Sequence, residues 1–427
     1  TLRGRAKLAM GKLDEAVADL DRALELRSRD TDALIARAKV DLLRGESAAA
    51  IGRLEPMYDG AAGPTLAVAY AAALRSSGKS VKAREVLEPI AGADGTVSAI
   101  IELAALERSE GRFEEARKAL KRAREIDPAS LEARLGAALL EIDDGNIELG
   151  REQLDSLIAE GTANPQVLVE AARARIWTGD SEAATAFLDQ SASTSSWLSW
   201  QVARERGRIF LRHQAPFEAI SELQRAQSLR PSDGDTRLLL MEAHFSANNK
   251  HGSQRSLQDI TKTFGDSPLR AMASGIHALL NEKAADAVAE FTQARSQLLD
   301  QKASRLELAR VAYWLGRSYE FSGDLVVATQ WLEKATKLNR SHSSAYFWLG
   351  QIHFRNQKLD SMVTSYEQAV AIDPSNNPLA WFFLGTHYAA TGNKAKAIKS
   401  LEGFLHHYPQ DSGDVVVEAK TLLGQLR

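Results

Sequence analysis

Apolar residues recur along this chain at helical spacing, and the clearest stretch runs from 381 to 409, WFFLGTHYAATGNKAKAIKSLEGFLHHYP. Trp381, Leu384, Gly385 and Tyr388 share one face of a first helix, and Ala397, Leu401 and Phe404 form a stripe on a second. Gly392-Asn393 between them reads as a tight turn, and Pro409 as the stop of the second helix. Two amphipathic helices joined by a short turn are therefore predicted, and the rest of the chain repeats them.

The repeat shows in the small residues of the second helices. Ala16, Ala50, Ala83, Ala116, Gly150 and Ala184 follow one another at steps of 34, 33, 33, 34 and 34 residues, each five residues after a glycine: Gly11, Gly45, Gly78, Gly111, Gly145 and Gly179. A small side chain at one fixed place implies two helices crossing closely there, since a larger one would push their backbones apart. A fixed period replaces the two or three globular domains that 427 residues would otherwise suggest.

Departures from the period carry their own expectations. The step from Ala287 to Ala328 is 41 residues, and its seven extra residues equal about two helical turns. Phe291 to Arg310 holds no Gly or Pro, so longer helices are expected there rather than a loose insert. Ser253 and Met362 stand at the small position, Asn248-Asn249 replace a turn glycine, and looser crossings are expected at both places. Ser191 to Ser196, a polar run before Trp197 and Trp200, reads as an extended loop with hinge character. Val415 to Leu426 reads as one more amphipathic helix, closing the open end of the last repeat.

With Leu315-Gly316-Tyr319-Gly323-Ala328, Leu349-Gly350 with Tyr366-Ala369-Pro374, and Trp381-Leu384-Gly385-Tyr388-Gly392-Ala397-Pro409, the chain resembles a tetratricopeptide repeat array of the bacterial multi-repeat type. Pro128 and Pro231 close two earlier repeats in the same way. The resemblance implies an all-α, right-handed superhelical solenoid of about twelve helix pairs with a C-terminal capping helix. The expected division is repeats over 1–190, the loop over 191–200, aromatic-rich repeats over 201–411 and the cap over 412–427.

Composition narrows the functional classes. A formal net charge of −3 gives no general attraction to nucleic acid or anionic membrane, and no apolar run approaches the length of a membrane span. With no cysteine there is no disulfide, thiolate nucleophile or cysteine-based zinc site. The chain starts without Met, within a helical pattern and without a secretory leader, so it reads as a piece of a longer protein. The cytoplasm is the expected compartment and the periplasm the alternative. All nine His, and all but five of the aromatic residues, lie beyond Gln190.

Catalytic signatures are weak. Ala73 to Ser80, ALRSSGKS, fits a permissive phosphate-binding loop, but that loop needs a preceding strand and Gly78-Lys79 falls at the turn of a helix pair. His406-His407 point different ways and lack a third ligand, and no metalloprotease or hydrolase motif occurs. No enzyme activity, cofactor or metal is expected in this stretch.

In the repeat family first helices line the concave groove, and residues around the Leu-Gly pair contact ligand. That resemblance points to Tyr313, Trp314, Arg317, Phe347, Trp348, Gln351, Phe354, Arg355, Phe382 and Phe383 as the partner-binding set, with Trp314, Trp348 and Phe383 as an aromatic ladder. The alternative is that the ladder packs between helices. Arg204, Arg208 and Arg212 share one helical face, with Arg173 adjoining from the previous repeat, and could hold an acidic partner. The plainer reading is a solvated basic face offset by Glu205. Two family specialisations do not fit. Leu239 interrupts the carboxylate clamp after Arg204 and Arg208, and Ala69, Glu102, Gly136 and Glu170 stand where glycosyltransferase members carry an Asn ladder.

The function implied is a non-catalytic scaffold recruiting a protein partner into its groove, as in bacterial envelope, motility, polarity or secretion complexes, a small GTPase being one kind of partner. Two alternatives remain open: a periplasmic arm of exopolysaccharide export, where the ligand would be a glycan, and a regulatory arm of an enzyme whose catalytic domain lies outside this chain.

Overall fold

The computed structural model describes residues 1–58, 63–92, 95–161, 164–408 and 413–427. Six helix pairs come first: α1 (Leu2–Ala9) with α2 (Leu13–Leu26), α3 (Thr31–Leu43) with α4 (Ser47–Leu54), and α5 (Pro64–Ser76) with α6 (Ser80–Leu87). They continue as α7 (Val97–Ser109) with α8 (Phe113–Ile126), α9 (Leu131–Asp143) with α10 (Ile147–Ala159), and α11 (Pro165–Trp177) with α12 (Ser181–Thr194). Then follow α13 (Ser199–Arg212) with α14 (Pro216–Leu229), α15 (Gly234–Ser246) with α16 (Lys250–Phe264), and α17 (Pro268–Leu280) with α18 (Ala284–Asp300). The last are α19 (Arg305–Phe321) with α20 (Leu325–Leu338), α21 (Ser343–Arg355) with α22 (Leu359–Ile372), and α23 (Pro378–Ala390) with α24 (Lys394–His407). α25 (Asp414–Leu426) packs on α24 and α23 at the C-terminal end. Pro409, expected to stop α24, lies outside the described residues.

The small residue of each second helix is where its pair closes. Ala16, Ala50, Ala83, Ala116, Ala184, Ala287, Ala328 and Ala397 are fully buried. On the facing first helices, a side chain added at Gly350 would strike the Tyr366 ring at 2.5 Å, and one at Gly385 would strike Leu401 at 2.8 Å. Close crossing is thus enforced from both sides. The first helices are also capped by their own sequence: Asp30, Ser130, Asp233 and Ser267 accept the backbone N–H three residues on, and Ser304 with Glu307 forms a reciprocal capping box. Each such cap contributes about 1 kcal/mol.

The 41-residue step resolves as expected into length. α18 and α19 have 17 residues each, where α20 has 14 and α21 has 13, so three and four extra residues account for all seven. The two irregular crossings differ. Around Ser253, α15 and α16 pack over less of their length than the other pairs, and the buried His244 ring fills the space beside Gly252. Around Met362 the crossing is as close as its neighbours, because Met362 is itself buried and flexible enough to fill the gap. Asn248, in place of the turn glycine, adopts φ of +50°.

The expected loop at 191–200 is instead helical. α12 runs to Thr194, a 3₁₀ turn covers Ser196–Leu198 and α13 starts at Ser199, leaving Ser195 alone extended. The polar run stays wound because its hydroxyls bond to nearby carbonyls: Ser193 and Thr194 donate to Gln190 at 2.8 and 3.1 Å, and Ser199 donates to Ser196 at 2.6 Å. Ser191 donates across to Pro165 at 3.1 Å, and Leu198 is fully buried beneath.

Repeats far apart in sequence also touch. The turn at Gly11 meets Trp197, Gly45 meets Ser232, Gly111 meets Lys302, Gly145 meets Leu338 and Gly179 meets Ile372. These separations span 186 to 193 residues, between five and six 34-residue repeats, so the solenoid closes a full turn at that interval and its successive turns rest on each other. Gly145 shows why glycine stands at this seam: its φ is +84°, and a β-carbon would lie 2.6 Å from the Leu338 carbonyl oxygen. Gln214 Nε2 donates to the Asn376 carbonyl at 3.0 Å, and Arg212 pairs with Asp373, along the same seam.

Candidate functional site

The first helices converge on a cavity of about 710 Å³ along the inside of the coil. Its wall takes Arg173 and Trp177 from α11, Arg204, Arg208 and Arg212 from α13, Asp235, Leu239 and Glu242 from α15, and Arg310, Tyr313, Trp314 and Arg317 from α19. His342 and Ser343, at the start of α21, and Asn376 and Asn377, before α23, close it from the next turn. Its size is that of a pocket for a small ligand or a short peptide segment.

The sequence signals expected to mark two sites thus fall in one. Tyr313, Trp314 and Arg317 share the cavity with Arg173, Arg204, Arg208 and Arg212, since the coil brings α19 opposite α11 and α13. The remaining candidates lie apart from it. Phe347 and Phe382 are buried between helices, against Tyr366 and Phe404 respectively. Phe383 is half-buried and stacks on Tyr366 with centroids 5.5 Å apart, and Trp348 lies under the Arg317 guanidinium at 3.3 Å from its centroid. Only Phe354 and Arg355 are exposed, Gln351 being half-buried beside them. Arg355 pairs with Glu320 at 2.6 Å. Of the proposed aromatic ladder, Trp314 alone reaches the cavity wall, and even it is largely packed against Phe291 and Phe245 while donating to Glu242 at 3.1 Å.

The arginines do not form a solvated basic face. Arg204 and Arg212 are only 8% and 9% exposed, and each guanidinium is held by an acid. Arg204 and Arg208 donate to the two oxygens of the fully buried Glu205, both at 2.9 Å. Arg208 and Arg310 grip Asp235 at 2.7 and 2.8 Å, and Arg310 also donates to Glu242 at 2.8 Å. Arg173 lies 3.0 Å from Glu170. Burial pushes the Asp235 carboxyl up, yet the charges of Arg208, Arg310 and Arg204 outweigh it and hold it well below the usual carboxylate range. Burial also disfavours the Arg204 charge, and Glu205, Asp235 and Asp233 reverse that effect and raise its pKa. Surface reasoning from one helix missed this because Asp235 and Glu242 come from α15 and Arg310 from α19. The legible part of the network was Glu205, one turn from Arg208.

Arg212 and His342 behave differently. For Arg212, burial outweighs the attraction of Asp373 and lowers the pKa. His342 is pushed down to about 3, by burial first and then by Arg212. Its Nδ1 accepts the Ala345 N–H at 3.3 Å, capping α21, so the neutral ring carries its proton on Nε2. His342 was not singled out by sequence, since an isolated His before a helix carries no signal of its own.

Comparisons with known proteins match residues 1–67, 107–168, 309–342 and 343–376 to models described as tetratricopeptide repeat. The chain is a tetratricopeptide repeat protein. Such repeats make it a scaffold for protein–protein interaction, and the cavity is built on their first helices. A comparison with curated protein sequences gives no match. Among solved structures, the array is similar to the APC/C hetero-tetramer Cut9-Hcn1, with TM-score 0.45 and 14% identity over 100% of this chain and 90% of that one. A tetratricopeptide repeat protein from Parabacteroides merdae gives TM-score 0.42 and 18% identity over 56% of this chain and 96% of the other. Among the described residues no cluster of three His or acidic ligands suits a metal, and no helix is long and apolar enough to cross a membrane. Gly78, within the sequence that mimics a phosphate-binding loop, sits at φ of +77° in the turn between α5 and α6, with a helix on both sides.

Proposed function

We propose that this tetratricopeptide array is a non-catalytic scaffold that takes an extended segment of a protein partner into its inner cavity. The observation behind it is the convergence of seven Arg and the rings of Trp177, Tyr313 and Trp314 on one hollow formed by first helices of two successive turns. Arginine and aromatic rings are the residue types that anchor protein interfaces, and a cavity of this size accommodates a few extended residues rather than a folded surface. A bacterial envelope, motility, polarity or secretion complex is the setting proposed for it, with Phe354 and Phe383 extending the contact beyond the cavity.

The test uses the whole chain as bait, with a Tyr313→Ala plus Arg317→Ala variant as control, and maps any cross-links to the bait by mass spectrometry. A partner captured by the parent chain, cross-linked at the cavity and lost with the variant at unchanged helicity and melting, is the expected result. Equal capture by both forms would remove the cavity from the function.

A further inference from the structure

We infer that the corner of the cavity formed by Arg212, His342, Ser344 and Asn377 is a recognition site for a carboxylate on the partner's segment. This rests on the scaffold reading above and specifies its chemistry. It differs from the family's clamp because its donors come from two turns of the coil, α13 below and the starts of α21 and α23 above.

Among the described residues, Arg212 spends Nη1 on Asp373 and has no protein acceptor for Nε or Nη2. His342 spends Nδ1 as acceptor for Ala345, which leaves Nε2–H without a partner. Ser343 and Ser344 both accept from the Asn376 amide, at 2.7 and 3.0 Å, so their hydroxyl hydrogens remain to be donated. The Asn377 amide nitrogen is buried without any acceptor. The matching acceptors are already used: Asp373 takes the Arg212 pair as well as the Ser375 and Asn376 backbone N–H groups, each at 3.1 Å. Asp235 and Glu242, across the cavity, are held by Arg208, Arg310 and Trp314. Asn377 Nδ2 is thus a buried orphan and the other donors line the cavity, and donors in excess of acceptors are the composition that an incoming oxyanion completes.

Charge selects the kind of oxyanion. Arg212 is offset by Asp373, and His342 is neutral, so the corner offers many hydrogen bonds but little net positive charge. A singly charged carboxylate brings one negative charge to be met by those hydrogen bonds; a doubly charged phosphate would bring two to the same place, at greater cost. Trp177 supplies the floor, with the Arg212 guanidinium 5.3 Å and the His342 ring 6.3 Å from its ring centroid. A methylene stem behind the carboxylate would lie on that apolar face.

Titration calorimetry on the whole chain can test this with a blocked hexapeptide of alternating Glu and Gly, its Gln-for-Glu counterpart, and inorganic phosphate. The Glu peptide should bind at least ten-fold more tightly than the Gln peptide. Arg212→Gln and His342→Asn should each weaken it at least five-fold, while Arg206→Gln, on the same helix but paired outside the cavity with Asp189, should leave it unchanged. Should Arg212→Gln fail to fold for want of a partner for Asp373, His342→Asn decides, since Asn keeps the helix cap and loses the reach of Nε2. Equal binding of the two peptides, full affinity in His342→Asn, or tighter binding of phosphate would each overturn the assignment. The scaffold reading fails separately: partner capture lost with Tyr313→Ala plus Arg317→Ala but kept with His342→Asn would discard the carboxylate site alone.

Discussion

Between α6 and α9, successive repeats are tied by guanidinium–carboxylate pairs, whereas from α21 to α24 the equivalent spaces are filled by rings. Arg84 on α6 holds Glu107 on α7 and reaches Glu110 at 2.7 Å, and one period later Arg117 on α8 holds Glu141 on α9 at 3.1 Å. In the C-terminal repeats Tyr366 lies between Phe347 and Phe383, and Phe404 between Phe382 and Tyr408. Both ends keep a close, buried helix crossing, at Ala83 and Ala116 in one and at Met362 and Ala397 in the other, so the crossing sets the geometry and the rest of the interface is free to vary. The lesson is that the fold depends on a few fixed contacts per repeat, and the stability of each region depends on what fills in around them.

The sharpest way to separate the two regions is to empty the aromatic one. Phe404→Ala, at a fully buried ring, should cost about 3–5 kcal/mol, read as a lower denaturant midpoint and as faster hydrogen exchange in α23 to α25. Overfilling a crossing comes next: Ala116→Leu should cost about 1–3 kcal/mol, while Met362→Leu, nearly equal in volume, should cost less than about 1.5 kcal/mol. If Ala116→Leu were neutral, the shared crossing would not be the fixed contact.

Acid should then act on one half before the other, because every His lies beyond Gln190. Well above pH 6.5 His342 and His244 are neutral whether the chain is folded or unfolded. As pH falls below that value the unfolded chain takes up protons that His342 refuses until about pH 3 and His244 until about pH 4, so folding weakens. The loss should be about 1 kcal/mol per pH unit for each such His between pH 6 and 4.5, above the range where most carboxylates titrate. Hydrogen exchange should show it in α15 and α21 while α5 to α9 stay protected, and His342→Asn should flatten the slope. Glu107→Gln is expected to cost about 1–2 kcal/mol, well short of Phe404→Ala, since Arg84 retains Glu110 and Arg112 is partly exposed. A loss as large as that of Phe404→Ala would show that the ionic region is as dependent on single residues as the aromatic one.

The architecture was legible because it is written locally. The period, the small residues, the turn glycines, the two extra helical turns in α18 and α19 and the final helix all follow from spacing within one or two repeats. Ser191 to Ser196 misled because a polar run has the same composition whether its hydroxyls face water or bond back to their own helix. The cavity was half legible: Arg204, Arg208, Arg212 and Arg317 were singled out, but their acids and their enclosure depend on residues one or more repeats away. The pairing of Arg212 with Asp373 spans 161 residues, and no helical periodicity carries information over that distance. His342 shows the same limit, for its role comes from the α13 it faces and not from its neighbours in sequence.

The seam at Gly11, Gly45, Gly111, Gly145 and Gly179 also gives the coil a mechanical asymmetry. A spring whose turns already touch has no travel left in compression, so a push along its axis meets packed backbone at once. A pull is resisted differently, by a row of separate small contacts that can part in succession while each helix pair stays intact. The molecule is therefore stiff to shortening and compliant to stretching, and whatever anchors its two ends sets how far the inner cavity opens.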